Sequence, residues 1–156
     1  MRDSLTLDRF DITILHELQL DGRQSWVELS NKVNLSPSAC QRRTQALSEQ
    51  GIIDRFAVSV NVQRIGFDVE AFVAVTIERQ NQKLAEQFRR AMLNLPEIQS
   101  CHMLSGSIDF ILRVIARNLR AYGQFIQTEI LSLPGVKDAT SSIVLERIKE
   151  FSAIPE

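Results

Sequence analysis

Leu35-Ser36-Pro37-Ser38-Ala39-Cys40-Gln41-Arg42-Arg43-Thr44-Gln45-Ala46-Leu47-Ser48-Glu49-Gln50-Gly51 is the stretch on which the reading of the chain turns. Ser36 has the oxygen that accepts from an orphan amide at a helix start, and Pro37 suits the first helical position, where no N–H is needed. Gly51 supplies the left-handed residue that ends the helix. Cys40, Thr44 and Leu47 recur at helical spacing and predict one buried stripe. Ser38, Gln41, Arg42 and Gln45 fall off that stripe. These residue types reach phosphates and base edges: Arg for guanine, Gln for adenine, Ser for either. Taken alone, the stretch is better read as a solvated amphipathic helix. What precedes it decides.

Upstream, Phe10, Ile14, Leu15 and Leu18 repeat at helical spacing from Thr6 or Asp8 to about Leu20. Asp8 and Asp11 sit in the favourable first turn, and Asp21-Gly22 ends the helix. Ser25-Trp26-Val27-Glu28 is a capping box that opens a second helix, with Trp26, Leu29 and Val33 as its buried side. Asn34-Leu35 turns directly into the third helix. Three short helices with a tight turn between the last two make a helix-turn-helix arrangement. Ile52 to Val58 reads as a short strand, a wing beside the helices.

Bulk charge gives no support to DNA binding. The net charge is −1, with 7 basic and 8 acidic residues in the first sixty and 11 of each in the remainder. Any such claim rests on where charge is placed. Cys40 and Cys101 are lone cysteines in different elements, which suits a reducing, cytoplasmic setting without a disulfide framework. No apolar run approaches membrane-spanning length.

Residues 1–60 thus form a first domain and 61–67 an ordered linker. Residues 68–156 form a second domain with an internal repeat. Ala71 to Ile77 is β-rich, and a helix follows with Leu84, Phe88, Ala91, Met92 and Leu95 on one face. Leu93-Asn94-Leu95-Pro96-Glu97-Ile98 leads into a strand reaching Leu104. Ser105-Gly106-Ser107 then turns into a strand over Ile108 to Val114. A second helix carries Leu119, Tyr122, Ile126, Ile130 and Leu133 and ends in Leu131-Ser132-Leu133-Pro134-Gly135-Val136, the same pattern again. A last strand spans Ser142 to Ile148. The order β-α-β-β-α-β predicts a ferredoxin-like, split βαβ fold, α+β in class. That fold leaves one sheet face without helices, yet Phe72, Ala74, Ile111 and Ile115 make this face apolar as well. A second subunit is the natural cover, so the reading is a homodimer through the sheets.

Nearly the whole chain resembles the Lrp/AsnC family of amino-acid-responsive transcription regulators. The residues that carry the likeness are Leu7-Asp8, Asp11, Ile14-Leu15, Asp21-Gly22-Arg23, Glu28-Leu29-Ser30, Leu35-Ser36-Pro37, Cys40, Arg43, Leu47 and Gly51-Ile52-Ile53. In the second domain they are Ser105-Gly106, Asp109, Leu133-Pro134-Gly135-Val136, Ser141-Ser142 and Ile148-Lys149. The resemblance implies a winged helix-turn-helix, a ferredoxin-like effector domain, and dimers that assemble further, commonly to octamers, with amino acids bound between subunits. Two positions depart from it. Thr44 stands where the family usually has an aliphatic residue, and Ile108 where an aromatic is common.

The DNA-contacting set is then Ser36, Ser38, Gln41, Arg42, Arg43 and Gln45, with the family pattern suggesting that Arg43 braces the helix or holds a phosphate. For the effector, Ser105, Gly106 and Ser107 offer backbone amides and hydroxyls, Asp109 an acceptor, and Thr140, Ser141 and Ser142 further hydroxyls. An α-amino acid needs donors for its carboxylate and acceptors for its ammonium, and the resemblance places both segments at the effector cleft. Leu104 and Leu119 would wall the side-chain pocket, which favours a neutral effector of the leucine or methionine type. The plainer alternative is that the hydroxyls cap turns and Asp109 ties down its loop.

An enzyme is the rival class, because this fold also builds dimeric α+β barrels. Only His16 and His102 are present, and His102 beside Cys101 on a strand makes a poor metal pair, since neighbours point to opposite faces. No phosphate-binding glycine loop or nucleophile elbow appears. The expectation is a regulator with no enzymatic activity, no cofactor and no metal; a ligand-independent DNA-packaging protein is the runner-up.

Overall fold

Asp8 and Asp11 exchange side-chain-to-backbone hydrogen bonds that cap α1, Arg9–Leu20, and Ser25 and Glu28 do the same for α2, Trp26–Val33. Both are reciprocal capping boxes, which satisfy two orphan amides at each helix start. Asn34 takes a left-handed conformation, φ 58°, and reverses the chain within two residues into α3, Pro37–Glu49. Ser36 caps α3 and Gly51, φ 71°, follows its end. Ile14, Leu29, Val33, Cys40 and Leu47 form the core of this helix-turn-helix domain. Trp26, expected inside, is only partly covered and remains 37% exposed.

The computed structural model describes residues 7–78, 82–149 and 152–155. The chain divides into two units, Met1–Ser59 with Lys149–Glu156, and Val60–Ile148. The tail from Lys149 thus groups with the helices rather than with the second unit, and the Ile154 amide donates to Gln19 Oε1 on α1 (2.9 Å). The stretch read as a linker packs within the second unit: Val62 is buried, Gln63–Ile65 forms one 3-10 turn, and Arg117 lies 5.2 Å over the Phe67 ring.

The strand expected over Ile52–Val58 does not form. The amides of Ile52 and Ile53 both donate to the Leu47 carbonyl, which folds them back against the end of α3. Beyond them Phe56, Val58 and Val60 alternate as a strand would but stand exposed, Val58 at 83%. Strand pattern needs a neighbouring ladder to become a strand, and no described segment supplies one.

The second unit is α+β with one four-stranded antiparallel sheet in the order β2-β3-β1-β4, where β1 is Val69–Ile77, β2 Ile98–Met103, β3 Phe110–Ala116 and β4 Val136–Ile143. Helices α4, Gln82–Asn94, and α5, Leu119–Phe125 (continued by a π-helical turn over Ile126–Ile130), pack on one side. Ala71, Val73 and Val75 of β1, Phe110, Leu112 and Val114 of β3, and Phe88, Tyr122 and Ile130 from the helices form its core. The last strand begins six residues earlier than its composition suggested and ends at Ile143. Pairing sets these limits: Ile77 opposes Val136 and Ala71 opposes Ile143, so the register uses up β1 before Ile148 is reached.

On the helix-free face Glu70 is held by Arg113 and Arg147. Burial pushes the Glu70 carboxyl up, but the two guanidinium hydrogen bonds outweigh it and hold its pKa below the ordinary glutamate value.

Candidate nucleic-acid interface and effector cleft

The exposed side of α3 carries Ser38, Gln41, Arg42 and Gln45, while Cys40, Thr44 and Leu47 point into the core. A helix anchored by one apolar stripe and presenting Gln and Arg on the other has the form that enters a major groove. Arg42 makes no ion pair among the described residues. Gln45 donates to Glu49 Oε1 (2.9 Å), within reach of the same face. The Ser36 hydroxyl accepts from the Ala39 amide and shares a hydrogen bond with Ser38, so its first duty is the cap.

Arg43 differs from its neighbours. Its Nη1 lies 2.8 Å from both Asp8 Oδ2 and Asp11 Oδ1, and its guanidinium stands 5.6 Å from the Phe10 ring centroid. The Asp11 amide above all, then Arg43 against desolvation, holds the Asp8 carboxyl below its ordinary value. The expected DNA-contacting set therefore separates into an outward group and one inward brace.

In the second unit a cleft of about 620 Å³ lies between the end of β1, the loop before β3 and the start of β4. Its walls are Thr76, Ile77, Glu78, Gly106, Ser107, Asp109 and Lys137. A register shift at Thr76/Ile77, opposite Lys137, interrupts the ladder beside the cleft. Asp109 holds the loop: its Oδ2 accepts from the Ile77 amide (2.9 Å), its amide donates to the Val75 carbonyl (3.0 Å), and its carbonyl accepts from the Leu104 amide (2.9 Å). Gly106 sits at φ +135°, where an L side chain is strained.

The other expected effector residues do not converge there within one chain. Leu104 and Ser105 flank the loop without lining the cleft. Thr140 opposes Ala74 and Ser142 opposes Phe72, which puts both on the helix-free face. Ser141 opposes Val73 on the helix side, where its Oγ accepts from the Tyr122 hydroxyl (2.6 Å). Three adjacent hydroxyls on a strand cannot share one pocket. Leu119 is 61% exposed and starts α5, beyond the far end of β3 from the loop, so about 20 Å of strand separates the two. Thr76, Ile77, Glu78 and Lys137 line the cleft without having been among the residues expected from the sequence; the charged residue just past Leu133-Pro134-Gly135-Val136 was the available signal.

A helix-turn-helix unit joined to an α+β unit with a polar cleft defines a one-chain transcriptional regulator. The AsnC-type helix-turn-helix domain model matches residues 7–48, and the Lrp/AsnC ligand binding domain model matches residues 70–154. The chain belongs to the Lrp/AsnC family. It is 39% identical over 153 residues, 98% of this chain and 93% of that protein, to the leucine-responsive regulatory protein of Escherichia coli (strain K12). Among solved structures it superposes on a transcriptional regulator from Neisseria meningitidis in complex with L-Met, with a TM-score of 0.92, 37% identity and coverage of 96% and 97%. An AsnC family regulator from Agrobacterium tumefaciens gives a TM-score of 0.87 at 29% identity, with the same coverage. No helix among the described residues is long and apolar enough to cross a membrane.

Proposed function

We propose that this regulator acts in the cytoplasm, reads promoter DNA through Ser38, Gln41, Arg42 and Gln45, and changes its DNA binding or assembly when a neutral α-amino acid enters the cleft at Ser105-Gly106-Ser107. The observation that carries the effector half is the composition of that cleft. Lys137 and the Ser107 hydroxyl suit a carboxylate, and Glu78 suits an ammonium, around a volume of about 620 Å³, which is in the range of small-molecule sites. Asp109 is assigned to holding the loop rather than to contact. Leu104, Ser105, Thr140, Ser141, Ser142 and Leu119 would reach an effector only if further chains complete the site.

The Neisseria regulator's L-Met complex, at 37% identity, supports methionine as the first candidate. The active form is a homodimer joined through the helix-free sheet face, assembling further to an octamer. Exposed Phe72 on that face and the unpaired alternation of Phe56, Val58 and Val60 support the dimer.

Calorimetry with methionine and leucine on the parent, Lys137→Met and Gly106→Val tests the reading. Binding to the parent that weakens at least tenfold in both variants is expected. Equal binding by all three would move the site elsewhere, and no binding to the parent by any neutral amino acid would end the effector assignment.

A further inference from the structure

A second concavity, about 550 Å³, lies between the last turns of α4 and edge strand β2, where Met103 and Phe110 line it at the two ends of the loop that carries Gly106. Its floor is Met92 and Phe110, both buried, and its walls include Leu93, Leu95, Pro96, Ile98 and Met103. Leu93 is 86% exposed and Met103 66%, so large apolar side chains face water around an apolar hollow. Such a patch on a soluble protein marks something that binds there.

One charged side chain lines this groove among the described residues. Arg89 stands at the rim, and its Nη2 donates to the Met103 thioether sulfur at 3.3 Å. A thioether is a weak, neutral acceptor. Arg89 has no carboxylate partner among the described residues, whereas Arg90, its neighbour on α4, pairs with Glu86. A guanidinium laid over apolar surface with no anion of its own is matched by a carboxylate attached to an apolar tail.

From this geometry we infer that the α4–β2 groove is a second ligand site, which takes a small carboxylate with a branched or linear apolar tail and no amino group. Its selectivity is opposite to that of the first cleft. There Glu78 and Lys137 present both signs of charge and suit a zwitterion. Among the described residues no acidic side chain lines the hollow, only the neutral acceptors Gln99 and Ser100, so an ammonium would find no opposite charge and would be held near Arg89. An α-amino acid is therefore rejected where its deaminated analogue is accepted. The volume admits one such molecule, with the tail over Met92 and Phe110.

The chain offers its own reporter. Met1, Met92 and Met103 are its three methionines, and two of them line the groove. The full chain with 13C-methyl methionine is titrated with 4-methylpentanoate, with leucine and with 3-methylbutan-1-amine, three compounds sharing one tail. The carboxylate is expected to shift the Met92 and Met103 signals saturably and to leave Met1 unmoved. The amine and leucine should act at least tenfold more weakly on those two signals. Arg89→Gln and Leu93→Asp, both at exposed positions, should each weaken 4-methylpentanoate by roughly tenfold or more, as loss of a charge-assisted hydrogen bond or addition of a like charge requires. Lys137→Met, which alters only the first cleft, should leave this titration unchanged, which separates the groove from the effector cleft. Equal action by leucine, an unaffected Arg89→Gln, or no saturable shift from the carboxylate would each overturn the assignment.

Discussion

Arg43 in the middle of α3 and Asp11 in the first turn of α1 meet at 2.8 Å, so α3 is fastened to the start of α1. Asp11 also completes the capping box of α1. One carboxylate thus holds both a helix start and the angle of its neighbour. Arg43→Ala should lower the melting temperature and weaken operator and random DNA together, because the whole helix is misplaced while the side chains proposed to read bases remain. Paired binding curves on the two DNAs check this; a loss confined to the operator would make Arg43 a base reader.

Arg42→Ala should behave in the opposite way. Removing one base-edge hydrogen-bonding group costs about 1–3 kcal/mol at the cognate site and little on random sequence. Fluorescence anisotropy on an operator and a scrambled duplex, at one salt concentration, is the measurement. Equal weakening on both would reduce Arg42 to a phosphate contact.

Thr44 is 3% exposed and its hydroxyl finds no hydrogen-bond partner among the described residues. A buried orphan hydroxyl costs of order 1–3 kcal/mol. Thr44→Val keeps the shape and removes the orphan, so the variant should be more stable by about 1 kcal/mol, read by urea unfolding followed at Trp26.

Gly135 has φ +87°, and a Cβ there would come 3.0 Å from Leu84 Cβ. Gly135→Ala should destabilise the second unit by about 1–3 kcal/mol from the strained conformation, with the clash added. Gly51, also left-handed but with nothing within 4 Å, should tolerate alanine better. Thermal denaturation of the two variants makes the comparison.

The Glu70 clamp sets an acid limit. Its folded pKa lies below the ordinary value of 4.5, so ionised Glu70 stabilises the fold above that pH, and the contribution is lost as pH falls through the folded value. Unfolding free energy measured from pH 6 down to pH 3 should fall more steeply for the parent than for Glu70→Gln. At pH 6 the variant should already be less stable by about 2 kcal/mol, the scale of a hydrogen bond to a charged partner. Parallel pH profiles would show that the clamp carries no net stability.

The helix-turn-helix was legible because each of its boundaries is a local chemical event. Asp8, Ser25, Ser36, Asn34 and Gly51 act within a turn of where they stand. The β elements were legible in order but not in extent, since pairing rather than composition ends a strand. Lys137 to Ser141 lies outside the strand read from composition until the ladder opposite Val73 and Ala74 claims it, and an edge strand with a helix-free face tolerates such polar residues. Ile52 to Val58 erred the other way, having the pattern without a partner. At the cleft the loop was visible through its glycine and serines. Its far wall comes from residues thirty positions away along the chain and was not.

The sheet order has a consequence for how the chain is made. Val69 pairs opposite Ala116 and Ala71 opposite Ile143, so the second unit closes only after long stretches of chain have been searched. Non-local closure of this kind slows folding, whereas the packing of α1, α2 and α3 joins segments close in sequence. On a ribosome the helix-turn-helix therefore emerges and packs while most of the sheet is still unsynthesised. One of its hydrogen bonds must wait for the whole second unit: Gln19 on α1 receives the amide of Ile154, which lies 135 residues further along the chain.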